Sequence, residues 1–187
     1  MGFTDDRRYL WAGGLEDSRI HVFDVGSNPS KPRRVRTIND FARKSGYIGP
    51  HTFYALPGRM LIAGLSNTKD KGGVTGLATY NNRGRLIARH DLPTGEVGGV
   101  KGDGYGYDVA INPSKNALLT SSFTGIDNYR RPLGQMVSDA EAMKRFGNTA
   151  VVWDLHTRKP KKILDVPGAP LEVRCAWGEK HDYCFTT

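Results

Sequence analysis

Three stretches of the chain share one pattern of apolar and polar positions. Each is a half-apolar run, then a turn of Pro, Gly, Ser, Asn or charged residues, then a second and more apolar run. They read HTFYALPGRMLIAGL from His51, DVAINPSKNALLTSS from Asp108 and EVRCAWGEKHDYCFT from Glu172, and they align without gaps at starts 57 and 64 positions apart. Each predicts two antiparallel strands around a tight turn. A second element recurs downstream: RIHVFDVG, GLATYNNRG and TAVVWDLHT are strands that finish in Asp or Asn before a polar turn. A further strand follows each, in RRVRTI, RLIARHDL and KKILDV.

Four antiparallel strands per unit, cycling at roughly 40 to 60 residues, is the pattern of a β-propeller blade. The predicted fold is therefore all-β, a partial β-propeller of about three blades with one short helical insertion. Residues 7–45 hold the last three strands of one blade, 46–102 a second and 103–167 a third, while 168–187 open a fourth. The first strand of each unit is expected innermost, which suits small and apolar residues such as Ala55, Val109 and Ala110. A closed propeller needs about four to eight blades. The expectation is an internal piece of a longer chain, with its true N-terminus missing, poorly soluble alone because its strand edges are unpaired.

One insertion interrupts the third unit, between LLTSSFTG and NTAVVWDL. Within it, SDAEAMKRFG (138–147) predicts a short surface helix with Ser138 as N-cap, Glu141 as capping-box partner and Gly147 as the stop. Insertions between propeller strands project from one face, so FTGIDNYRRPLGQM is a candidate lid or rim. Tyr129, Arg130 and Arg131 are its candidate ligand contacts, against the commoner role of a solvated loop.

The chain carries 27 Lys and Arg against 19 Asp and Glu, a formal charge of +8. Its dense basic runs, KPRRVR (31–36) and RKPKK (158–162), occupy the same place in the repeat, so solvated outer edges are expected. Nucleic-acid binding is the minority reading, because no aromatic residues interleave these runs. No stretch reaches the roughly 18 consecutive apolar residues of a membrane span. Compartment stays open between periplasm and cytoplasm, as does oligomeric state.

Cys175 and Cys184 fall on one predicted hairpin centred on Glu179 and Lys180, in a register that sets them opposite each other. A disulfide is geometrically allowed; two isolated buried thiols are the favoured reading. The glycine-rich GGVKGDGYGYD (98–108) lacks the Lys-Ser/Thr of a phosphate-binding loop and reads as a flexible crossing between units. VVWDLHT contains a Trp-Asp pair, but the repeat is longer than the 40 to 45 residues of a WD unit and no Gly-His pair is present.

His51, Asp108 and Glu172 fall at one repeat position, the first residue of three successive inner strands. Equivalent positions there form a ring around one channel mouth. Imidazole nitrogen with carboxylate oxygen suits copper, iron or zinc, or acid–base work. The structural alternative is a hydrogen-bonded histidine and carboxylates that tie down neighbouring amides, the commoner fate of such residues. His21, His90, His156 and His181 lie near outer strands or turns and are weaker candidates.

The segments SRIHVFDVGSNPSKPRRVRTI, GPHTFYALPGRMLIAGLSN, DGYGYDVAINPSKNALLTSSFTG and RFGNTAVVWDLHTRKPKKILDVPGAPLEVR together resemble the selenium-binding protein family, which includes methanethiol oxidases. The resemblance implies a seven-bladed propeller and, in oxidase members, copper-dependent oxidation of methanethiol to formaldehyde, hydrogen sulfide and hydrogen peroxide. It implies His51, in the "PHT" motif, as one copper ligand, with the family's other proposed ligand histidines outside this chain. Asp108 and Glu172 are then candidates to orient ligands or transfer protons, and selenium association follows from the family name without a residue to carry it. Where many members have Thr-Glu-Trp, this chain has Ser121-Ser122-Phe123, beside the lid, which bears on substrate identity. The alternative is a non-catalytic selenium- or ligand-binding scaffold.

Overall fold

The computed structural model describes residues 1–176 and 182–187. The first sheet contains β1 (Gly2–Phe3), β2 (Tyr9–Gly13), β3 (Ile20–Asp24) and β4 (Arg33–Ile38). A helical turn, α1 (Phe41–Ser45), leads into the second, β5 (Tyr47–Leu56), β6 (Arg59–Asn67), β7 (Gly76–Asn81) and β8 (Leu86–Asp91). A small hairpin, β9 (Glu96–Val97) and β10 (Val100–Lys101), precedes the third, β11 (Val109–Asn112), β12 (Ala117–Thr120), β13 (Thr149–Asp154) and β14 (Pro160–Asp165). The pair β15 (Val173–Cys175) and β16 (Cys184–Thr186) follows. Sheet neighbours are consecutive in sequence, and β5 contacts both β1 and β11, which in turn contacts β15. The sheets thus fan from a shared inner edge, the β-propeller arrangement.

This packing explains why β6 reads as an unbroken apolar run. Met60 and Ile62 face the first sheet and pack with Trp11, Ile20, Phe41 and Tyr80. Leu61 and Ala63, on the opposite face, pack with Val109, Leu118, Val151 and Trp153 of the third sheet. Period-2 alternation therefore buries both faces. Each fully buried leucine or isoleucine contributes about 1.5–3 kcal/mol. Trp153 also donates its indole N–H to Thr120 Oγ1 at 2.9 Å, so its polar atom is satisfied inside the core. The outermost strands are different: on β4, Arg33, Arg34 and Arg36 are exposed, as are Lys161 and Lys162 on β14. The two basic runs lie on solvent-facing edges.

Several expectations need correction. Gly2–Phe3 supplies an inner strand that the reading of residues 7–45 did not place. The insertion holds three short helices rather than one, α2 (Ile126–Tyr129), α3 (Leu133–Ser138) and α4 (Ala140–Met143). Ser138 ends α3, its hydroxyl donating back to Gly134 O at 2.8 Å. The cap of α4 is Asp139, whose Oδ1 accepts the N–H groups of Glu141 and Ala142, and the helix stops before Gly147.

Cys175 and Cys184 are a directly opposed cross-strand pair joined as a disulfide, not two buried thiols. The expected turn at Glu179 and Lys180, and His181, lie outside the described residues. The gapless repeat alignment also slips once. Phe53 pairs with Ile62 and Ala110 with Leu119, as aligned, but Arg174 pairs with Phe185, two residues beyond the aligned Tyr183. The glycine-rich crossing is an ordered hairpin turning on Gly98 and Gly99, both with positive φ. Beyond it, Asp103 Oδ2 accepts from Ser122 Oγ, the Asn148 and Thr149 amides and Thr149 Oγ1, which pins the crossing to the third sheet.

Candidate functional site

Strand β5 does not run straight. Gly49 takes a left-handed conformation (φ 64°), cheap only for glycine, and its N–H donates to Ser18 Oγ at 3.0 Å. The register with β6 then shifts between Pro50 and Phe53, a β-bulge that occupies His51 and Thr52. A bulge re-aims the side chains it carries. Here it turns both toward β11 of the next sheet.

His51 is half-buried, and its ring packs on that of Tyr107, with centroids 4.1 Å apart. Its Nδ1 stands 3.2 Å from the Tyr107 carbonyl oxygen and 3.2 Å from Thr52 Oγ1. A carbonyl can only accept, so the proton of the neutral imidazole sits on Nδ1 and donates to Tyr107 O. Nε2 is left with a bare lone pair and has no hydrogen-bond partner among the described residues. Burial lowers the His51 pKa below 6.5, opposed by the Tyr107 carbonyl and the charge of Asp108, so the ring is neutral near pH 7.

Thr52 relays the histidine to Asp108. Its hydroxyl donates to Asp108 Oδ1 at 2.8 Å, leaving the oxygen able to accept from His51. Asp108 is 4% exposed and has no idle oxygen: Oδ2 accepts the Val173 N–H at 3.0 Å and ion-pairs with the Arg174 guanidinium. Arg174 also holds Glu172 Oε2 at 2.6 Å, and Asp108 raises its pKa. The predicted trio therefore does converge. His51, Thr52, Asp108, Glu172 and Arg174 line one cavity of about 390 Å³ between the inner strands.

The trio is not a metal cage. No group of three or more His, Cys, Asp and Glu side chains among the described residues is placed to hold a metal ion. Of the trio, His51 offers the one free nitrogen donor, and its protonated Nδ1 on a carbonyl is the usual support for an imidazole that ligates through Nε2. His21, His90 and His156 do not line the cavity; His21 sits 3.3 Å from Thr37 Oγ1 on an outer strand.

The insertion reaches the same region by a different route. Tyr129 packs on Phe123, with centroids 5.9 Å apart, and Phe123 on Tyr107 at 5.2 Å. Arg130 and Arg131 do not face the cavity as free cations: they pair with Glu16 at 2.5 Å and Asp139 at 2.8 Å. Thr52 and Arg174, which line the cavity, and Tyr107, whose carbonyl holds His51, are not singled out by the repeat.

The described helices include none long and apolar enough to cross a membrane. Two curated proteins named methanethiol oxidase are similar throughout: that of Hyphomicrobium sp is 59% identical over 185 residues, 99% of this chain and 41% of its own length. That of Ruegeria pomeroyi is 54% identical over 194 residues, spanning all of this chain and 44% of the relative. The chain thus spans about two-fifths of these relatives. A solved structure described as a hypothetical selenium-binding protein from Sulfolobus tokodaii matches 90% of this chain and 36% of its own, with TM-score 0.74 and 25% identity. Residues 2–187 match the model of the 56 kDa selenium binding proteins, and the chain belongs to that family.

Proposed function

We propose that the full-length protein oxidises a small thiol, methanethiol, to formaldehyde, hydrogen sulfide and hydrogen peroxide, with copper held in part by His51. The observation that carries this reading is the 59% and 54% identity, across this chain, to proteins named methanethiol oxidase. The bare Nε2 of a neutral His51 at a polar cavity supports it. Atom balance requires one dioxygen and one water per methanethiol. Copper, when bound, supplies electron transfer between the thiol and dioxygen.

The chain's own residues have narrower tasks. The Tyr107 carbonyl and Thr52 hydroxyl hold the His51 tautomer, and Asp108 polarises Thr52 while fastening β5, β11 and β15 together. Asp108 is thus an orienting carboxylate with both oxygens engaged, Oδ1 by Thr52 and Oδ2 by Val173 and Arg174. Glu172, 45% exposed along its side chain and held by Arg174, is the carboxylate placed to take up a thiol proton at Oε1.

The test is full-length protein loaded with copper, compared with His51→Ala. The expected result is peroxide and formaldehyde from methanethiol in the wild type, with copper content falling sharply in the variant. Unchanged copper stoichiometry removes His51 from the site. A wild type that forms no peroxide favours a non-catalytic binding propeller, the reading that the fully engaged Asp108 also fits.

A further inference from the structure

The helical insertion of the third sheet and the β6–β7 loop of the second meet at a cavity of about 250 Å³, whose lining includes Asp70, Lys71, Tyr105, Asp127, Asn128 and Arg145. It shares no residue with the His51 cavity. The insertion carries four cations, and three are neutralised: Arg130 by Glu16, Arg131 by Asp139 and Lys144 by Glu141. Arg145 pairs with no carboxylate among the described residues. Its Nη2 donates instead to Asn128 Oδ1 at 3.0 Å. Asn128 is 4% exposed, and its Nδ2 donates to Thr124 Oγ1 and to the Ala142 carbonyl, both at 2.9 Å. With its amide donors committed to those acceptors, its carbonyl oxygen must face the guanidinium. A buried amide thus holds Arg145 at the cavity and leaves its charge unanswered.

Charge of the opposite sign borders the same space. The Asp127 carboxylate makes no hydrogen bond or ion pair among the described residues. Asp70 Oδ1 accepts the Gly72 N–H at 3.0 Å, and neither Asp70 oxygen has a cation within ion-pair distance among those residues. Burial raises the Tyr105 pKa, with the charges of Asp103 and Asp70 adding to the shift and that of Arg145 opposing it, so both signs reach one phenol. Lys71 and Arg145 therefore face Asp70 and Asp127 around one concavity without neutralising them. An ion of a single sign meets repulsion there as well as attraction, whereas a ligand carrying both charges answers both. The cavity is smaller than the roughly 300 Å³ at which drug-sized sites begin, so its ligand has few heavy atoms.

We propose that this cavity binds a small zwitterion of the amino-acid class, its carboxylate on the Arg145 guanidinium and its ammonium group at Asp70 and Asp127. A guanidinium donates two parallel hydrogen bonds to a carboxylate, a match that an ammonium ion lacks. Because Asp70 belongs to the loop of one sheet and Arg145 to the insertion of the next, the occupant ties the two together. The inference goes beyond the thiol reading and stands without it.

The experiment is calorimetric titration of full-length protein with L-alanine, and with propionate and ethylamine, each of which carries one of its two charges. Alanine is expected to bind about tenfold more tightly than either half, or better. Arg145→Gln, which removes the charge, and Asp127→Asn, whose native side chain has no partner to lose, are each expected to weaken alanine about tenfold. Arg145→Lys keeps the charge without the planar fork and is expected to fall between wild type and Arg145→Gln. Asp127→Asn decides the matter if the arginine variants do not fold. Propionate bound as tightly as alanine overturns the zwitterion in favour of a simple anion site, and no alanine binding at millimolar concentration overturns the site altogether. Alanine affinity unchanged in folded Arg145→Gln or Asp127→Asn places the ligand elsewhere and overturns it as well.

Discussion

His51 and Tyr107 are joined twice, ring on ring at 4.1 Å and Nδ1 to carbonyl oxygen at 3.2 Å. The second contact decides the chemistry of the first residue. Because the carbonyl only accepts, the imidazole must carry its proton at Nδ1 while neutral, and its remaining lone pair must lie at Nε2. A backbone atom enforces this, so no substitution at Tyr107 removes it directly, although loss of the phenol ring frees the imidazole to tilt.

The pH dependence follows from that burial. The His51 pKa is depressed below its ordinary 6.5, with desolvation as the largest cause. Of the charges acting on it, those of Asp108 and Glu172 oppose the shift. A histidine depressed in the folded state contributes stability that is present above the unfolded pKa and lost as pH falls through the folded one. The His51 imidazole resonance of the full-length protein should therefore titrate with a midpoint below 6.5. A midpoint at or above that value would mean the ring is not buried as described.

Asp108 has a structural role that can be measured apart from catalysis. Its carboxylate accepts from Thr52, from the Val173 amide and from Arg174, across three inner strands. Asp108→Asn keeps the shape but sets an amide N–H against donors on one side. The expected cost is about 1–3 kcal/mol, the range for unpaired buried polar groups, without the larger figure for a buried ion pair because Arg174 is 57% exposed. Denaturant unfolding of full-length Asp108→Asn checks this; an unchanged midpoint and slope would remove Asp108 as a strand fastener.

The convergence of His51, Asp108 and Glu172 was legible because it depends on repeat phase, and repeat phase shows in the turn residues and apolar alternation. The means of convergence was not. Thr52 reaches Asp108 because β5 bulges after Pro50, and nothing in GPHTF distinguishes a bulge from a straight strand. The stacking of Tyr107 and Phe123 depends on segments flanking β11 and β12, which periodicity does not describe. Helix capping failed locally for a similar reason: Ser138 and Asp139 are both competent caps, and only the path of α3 decides that Ser138 bonds backwards to Gly134.

The Cys175–Cys184 link makes a prediction that the free-thiol reading forbids. Closing so short a loop in the unfolded chain is worth about 2–3 kcal/mol by chain entropy. Non-reducing peptide mapping of full-length protein should recover the two cysteines in one cross-linked species, and Cys184→Ser should lower the unfolding midpoint. Quantitative alkylation of both residues without reductant would restore the thiol reading.

Gly13 offers a test of whether the bulge depends on its neighbouring sheet. A Cβ added there would stand 2.1 Å from the Pro50 carbonyl oxygen and 3.0 Å from the Phe53 ring. Because the nearer atom is backbone, relief cannot come from a rotamer change: β2 or β5 must move. Overpacking of this kind costs about 1–3 kcal/mol. Pro50 immediately precedes His51, so the displacement acts at the start of the bulge. Gly13→Ala should therefore lower the unfolding midpoint of the full-length protein and shift the His51 imidazole resonance together. Gly95→Ala is the control, since nothing lies within 4 Å of the added atom and its φ is not positive. If Gly13→Ala destabilises while leaving the His51 resonance in place, the close approach of β2 supports packing alone and the bulge is set within β5 and β6.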